Sequence, residues 1–90
     1  MFVDFQESGH SLRATLVTSR RAMGWRLQPV RVATIGSVEL PMSVSGRAAF
    51  WCQLHETLAH LGDRVPAAQQ AKIMAQTHAR VPMVTVDERR

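Results

Sequence analysis

The sequence predicts an α+β domain, a three-stranded antiparallel β-meander followed by two α-helices packed on one face. Three observations carry this. Residues 11–18, SLRATLVT, alternate, with Leu12, Ala14 and Leu16 on one side and Arg13 and Thr15 on the other, the period of a half-buried strand. From residue 46 the spacing becomes helical, with Phe50, Leu54, Leu58 and Leu61 in line. Glycines and prolines mark the joins. Strands first and helices second make a layered α+β arrangement.

The elements follow in order. Residues 2–6, FVDFQ, read as a short strand, and Ser8-Gly9-His10 as a turn into strand 11–18. Arg20 to Gly24 read as a polar loop in which Gly24 supplies the positive φ of a hairpin connection. Residues 25–35, WRLQPVRVATI, return as the third strand. Pro29 has no N–H to donate, so this strand lies at an edge and strand 11–18 at the centre. Closing the hairpin symmetrically about residue 22 sets Leu12 opposite Val32, Ala14 opposite Val30 and Arg13 opposite Arg31, with Trp25 farther along the arginine face. Like charges directly opposite cost a few tenths of a kcal/mol or more, and such a pair is tolerated where an anion lies between.

After Gly36 the segment SVELPMSVS reads as a linker, with Ser43 or Ser45 capping a helix over 46–61 that ends at Gly62. Its apolar stripe, with Trp51 beside it, is core. A second helix starts near Pro66, a residue suited to the first turn, and runs to about Arg80. Its alanine-rich face, with Ile73 and Met74, is expected to pack closely on the first helix. Val81 and Pro82 end it, and MVTV adds an extended segment. Residues 1–86 form one domain and 87–90 a polar tail.

Ninety residues bury only about 60–65% of the surface of the unfolded chain, which leaves a small core and no room for a deep active site. Cys52 is the single cysteine, so there is no disulfide framework and a reducing cytoplasm is the expected compartment. The start, MFVDFQESGH, has no basic leader or apolar stretch of a signal peptide, and no apolar run approaches the ~20 residues of a membrane span. The net charge is +4 and unevenly placed: residues 8–38 hold Arg13, Arg20, Arg21, Arg26 and Arg31 and no acid. A basic block favours nucleic acid or an acidic protein surface, and arginine is the better fork for phosphate and carboxylate.

Catalytic and metal patterns do not form. HETLAH approximates the H-E-x-x-H zinc motif, but His55 and His60 are five residues apart. At ~100° per residue their rings diverge by about 140°, so they do not clamp one metal. His10 and His78 are isolated and read as solvent-facing or backbone-bonded. Asp4, Glu7, Glu39, Glu56 and Asp63 are scattered, and no nucleophile elbow, P-loop or dinucleotide fingerprint is present. Cys52, within an amphipathic helix, reads as a small buried hydrophobe. The expectation is a non-enzyme without cofactor or metal.

The basic sheet remains. Arg13, Arg31 and Thr15 project from one face, Arg20 and Arg21 lie at the hairpin tip, and Arg26 is near it. Trp25 offers a stacking face for a base, although core packing is its expected use. A two-stranded ribbon fits the major groove of B-DNA. Five arginines on phosphates give a log–log salt slope near −4.5.

The pattern FV…SG…LRATLVTSRR…G…VRVATIGSV, over residues 2–38, resembles the N-terminal β-rich segment of insertion-sequence transposases of the DDE class. Arg31, Val32, Ala33, Thr34, Ile35 and Gly36 stand on that segment's R-V-x-A-T-L-G-like strand end, and Gly24 on its glycine connection. The resemblance implies DNA engagement and not chemistry, because the catalytic acids of that class lie in a domain this chain does not contain. The aromatic and lysine positions usual between Gly9 and Thr15 are absent. The second half, RAAFW…L…L and AKI…HARVPMVT, is similar to small proteins of plasmids, prophages and integrative elements of proteobacteria, which implies a mobile-element setting.

The leading expectation is therefore a non-catalytic phage or mobile-element accessory protein that binds nucleic acid through its basic sheet, with the helices as core and as a face for a homodimer. The alternative is a small inhibitor of the anti-CRISPR type, which binds an acidic protein surface of a host nucleic-acid complex. A third class, a subunit of a larger assembly, predicts an exposed apolar helix face around Trp51 and Met74.

Overall fold

The computed structural model describes residues 1–85; Val86 and the 87–90 tail lie outside the described residues. Strands β1 (Phe2–Ser8), β2 (Ser11–Ala22) and β3 (Arg26–Glu39) precede helix α1 (Val44–Leu61), a 3₁₀ turn (Gly62–Arg64) and helix α2 (Ala67–Arg80). The strands form one antiparallel sheet in the order β1-β2-β3. This is the expected α+β arrangement, with β2 central and Pro29 on the edge strand.

β1 and β2 join through a two-residue loop, Gly9-His10, between paired Ser8 and Ser11. Gly9 has φ 60°, and a positive φ at the first central position is the geometry of a type II′ turn, whose twist suits a hairpin. β2 and β3 join through Met23-Gly24-Trp25, with φ 42° at Met23 and 82° at Gly24. Arg20 and Arg21 are thus strand residues rather than loop residues, and the hairpin turns at Gly24 instead of residue 22. β3 also runs to Glu39, taking in the start of the expected linker.

That displacement corrects the register. Leu12 faces Val38 rather than Val32, and Ala14 faces Gly36 rather than Val30. Arg13 faces Ser37 and Arg31 faces Val17, so the two arginines are not directly opposed. Two irregularities separate the ends of the ladder. Pairing steps from Ala14–Gly36 to Thr15–Thr34, leaving Ile35 extra, and from Leu16–Ala33 to Val17–Arg31, leaving Val32 extra. Both are β-bulges in the edge strand, where bulges concentrate.

The helices cover one face. Leu12, Ala14 and Leu16 of β2, with Val3, Ile35 and Val38, pack beneath Phe50, Trp51, Leu54, Leu58 and Leu61 of α1. α1 lies against β3 and α2 against β1. Ser43, rather than Ser45, caps α1: its Oγ accepts the Gly46 N–H at 3.0 Å, satisfying a donor that the helix cannot. Gly62, at φ 55°, ends the helix with its N–H on the Leu58 carbonyl.

α2 departs from expectation. Ala67, Ala68, Ala71, Ala75 and Ala79 are exposed; the helix buries Ile73, as expected, together with Thr77. Its anchorage to the sheet is polar as well as apolar: the Gln76 Oε1 accepts the Val3 N–H at 3.1 Å, and the Arg80 guanidinium lies 5.1 Å from the centre of the Phe5 ring. The chain beyond α2 is tied to α1 by the Trp51 Nε1–H, which donates to the Val81 carbonyl at 2.9 Å in the interior. No helix among the described residues is long and apolar enough to cross a membrane.

Candidate nucleic-acid interface

Beyond Val17 on β2 and before Val32 on β3 the two strands leave the core. From Ser19 to Arg31 every residue whose side chain is described is exposed. The result is a two-stranded arm that helps stretch the molecule to 53 × 31 × 19 Å. β1 ends against Val17, so the arm has a free edge on both sides. Arg20, Arg21, Arg26 and Arg31 lie along it, and the arm contains no acid. Among the described residues none of the five sheet arginines is in an ion pair.

Cross-strand partners share a face of a sheet, so the register assigns each arginine a side. Arg13, Arg21 and Arg31 stand on the open face, away from the helices, with Thr15, Val17, Thr34 and Ser37. Arg20 and Arg26 stand on the opposite side, beyond the end of the helix layer. The structure thus brings Arg13 and Arg31 to one face and separates Arg20 from Arg21.

Trp25 is not core. It is 89% exposed at the tip, beside Met23 at 96% and close to Leu27 at 66%. Three apolar side chains so exposed and adjacent correct the expected core packing of Trp25. The signal in the sequence is Pro29: an edge strand with proline and arginine around Leu27 has no apolar partner to cover that residue.

The open face holds a groove of about 480 Å³. Arg13 and Arg31 line it at diagonal positions, Thr15 and Thr34 lie between them, and Ser37, Gln6 and Gln53 close the rim. Gln53 reaches this face from α1 by crossing β3 at Gly36; a Cβ on Gly36 would collide with the Gln53 side chain. Two acids, Asp4 and Glu39, share the open face, but neither lines the groove. Of these groove residues the sequence reading named Arg13, Arg31 and Thr15. Thr34 depends on the bulges, Gln53 on the helix position, and Ser37 and Gln6 on their pairing with Arg13.

Elsewhere the candidate chemistry disperses. Cys52 is exposed, not buried; it lies ~200° around α1 from Leu54, so the helical spacing itself carried the answer. His10, His55 and His60 are exposed, and the exposed His78 accepts the Met83 N–H at 3.1 Å through Nδ1. Among the described residues no three His, Cys, Asp or Glu side chains gather as a metal site. Trp51 is 5% exposed and Met74 half-buried, so the apolar helix face expected of an assembly subunit is not presented there. No family model, curated protein or solved structure matches the chain.

Proposed function

We propose that this chain is a non-catalytic accessory protein of a phage or other mobile element, which acts in the cytoplasm by binding nucleic acid through its basic arm and open sheet face. The observation that carries the reading is the arm: four arginines without ion-pair partners among the described residues and without an acid in the arm itself, on a ribbon that leaves the core. Among the described residues the ribbon adds no side chain to the core. Its charge suits phosphate, and its two-stranded width suits the ~12 Å major groove of B-DNA. The likeness of residues 2–38 to the DNA-engaging segment of DDE-class transposases points the same way.

A second reading has an observation of its own. Met23, Trp25 and Leu27 form an exposed apolar tip, and apolar residues so placed also suit a protein partner. On that reading the arm inserts into an acidic surface of a host nucleic-acid complex and inhibits it.

The test is fluorescence anisotropy of a labelled duplex of about 20 base pairs and of its single strand at low salt. Micromolar or tighter binding is expected, weakened at least tenfold when Arg20, Arg21 and Arg26 are all replaced by Gln. Absent binding, or binding indifferent to that replacement, overturns the nucleic-acid reading in favour of the protein partner.

A further inference from the structure

We propose that the groove on the open face is a binding site for one phosphoryl group, with Arg13 and Arg31 as its two cationic arms. The inference extends the nucleic-acid reading but rests on the groove alone.

The bulges build it. Had the Ser11–Glu39 register continued unbroken along β3, Arg31 would oppose Ser19, and Ile35 would stand on the open face in place of Thr34. The two extra residues set Arg31 against Val17 instead. That is two residues nearer Arg13, about 6.7 Å along the strand. They also turn Ile35 inward, where it is 4% exposed, and leave the Thr34 hydroxyl on the open face. The same step that buries Ile35 in the core frees Thr34 for the open face, and bulges recur where a side chain must be re-aimed.

The donor set then fits a tetrahedral anion. Two guanidinium groups approach from different strands, each with five N–H donors and no acceptor, and neither has an ion-pair partner among the described residues. The hydroxyls of Thr15, Thr34 and Ser37 lie between or beside them. A planar carboxylate is satisfied by one fork; two forks at the two ends of one groove, four residues apart along β2 with hydroxyls between them, match oxygens pointing in several directions. No aromatic ring lines the groove, so it has nothing on which to stack a base. Its volume exceeds that of a phosphate and leaves space for an attached sugar. The ligand chemistry is a sugar phosphate, whether a free nucleotide or the end of a strand.

The experiment is a ¹⁵N-correlation NMR titration of the full chain with inorganic phosphate to about 10 mM, with sodium chloride of matched ionic strength as the control. Saturating shifts are expected at Thr15, Thr34 and Ser37 and at the side-chain Nε of Arg13 and Arg31. Arg13→Gln or Arg31→Gln should weaken them about tenfold, in spectra whose dispersion shows the fold intact, while Lys72→Gln, at an exposed position on α2, leaves them unchanged. Shifts that chloride reproduces, or that survive both substitutions, overturn the site. Adenosine 5′-monophosphate against adenosine, and oligonucleotides with and without a 5′-phosphate, then assign the source. Tighter binding of the phosphorylated strand indicates a strand end, and mononucleotide binding without that gain indicates a free nucleotide. Phosphate binding with no oligonucleotide binding retains the groove and ends the nucleic-acid reading. Oligonucleotide binding with no phosphate-specific shift does the reverse.

Discussion

Trp25 and Trp51, the two tryptophans of the chain, are 89% and 5% exposed, and the difference follows from what each can reach. Trp51 stands on the apolar stripe of α1, and its N–H finds the Val81 carbonyl at 2.9 Å. Trp25 follows a turn at the end of an arm with no layer above it. Replacing Trp51 by Phe keeps an aromatic ring but leaves the buried carbonyl unsatisfied, a cost of about 1–3 kcal/mol. For a domain of this size each kcal/mol lowers the melting temperature by about 4–8 °C, so thermal unfolding should move down by at least that much. An unchanged midpoint would show that Val81 finds another donor. Trp25→Ser removes no packed surface and should stay within about 0.5 kcal/mol of the parent. The Trp51→Phe chain also leaves Trp25 as the sole indole, and its emission should be fully open to iodide quenching and should respond to added oligonucleotide.

At the scale of elements, the arm is separable from the fold. The helix-side core draws on β2 through Leu16 and on β3 from Ile35 onward, with Val32 and Ala33 packed against it, and no described side chain between Thr18 and Val30 contributes. These two residues are paired, so joining them through Asn-Gly makes a two-residue hairpin with a favoured turn. The shortened chain should unfold within a few degrees of the parent in a thermal melt, yet lose oligonucleotide binding. Aggregation or loss of the cooperative transition would mean that the arm supports the sheet. The same separation explains which elements the sequence disclosed. Strand 11–18 and α1 each bury one apolar side against the core, so their apolar residues repeat with a readable period, whereas α2 buries Ile73 beside polar Thr77 and exposes its alanines. The arm buries neither side. Arg20 and Arg21 therefore look like loop residues, and the turn was expected two residues early. The bulges at Val32 and Ile35 are hidden for a related reason: each side chain is apolar and so fits an alternating strand, and only the Gly36 and Ser37 positions beyond them show that the alternation has slipped. Thus Arg13 and Arg31 were legible as a pair on one face, but their register and the polar residues between them were not.

At the scale of the whole molecule, the distribution of charge decides how a nucleic acid can be met. The arm alone presents Arg20, Arg21, Arg26 and Arg31, while the open face presents Arg13, Arg21 and Arg31. A duplex entered by the arm gains four phosphate contacts, for a log–log salt slope near −3.6 and a loss of about a hundred-and-fifty-fold in affinity between 50 and 200 mM salt. A strand laid along the open face gains three, for a slope near −2.7 and about a fortyfold loss. Single replacements by Gln separate the two modes more sharply than the slope itself. Removing Arg26 should flatten the slope by about 0.9 if the arm enters a groove and leave it unchanged if the strand lies on the open face; removing Arg13 should do the opposite. Equal flattening by both would require one nucleic acid to run from the arm tip down the open face to Arg13, a path that a single strand follows far more readily than a duplex of ~50 nm persistence length. The anisotropy salt series, run on duplex and single strand with the Arg13→Gln and Arg26→Gln chains, therefore reads out the docking mode. A slope that neither substitution alters would place the arginines outside the contact and remove the physical basis for a nucleic-acid partner.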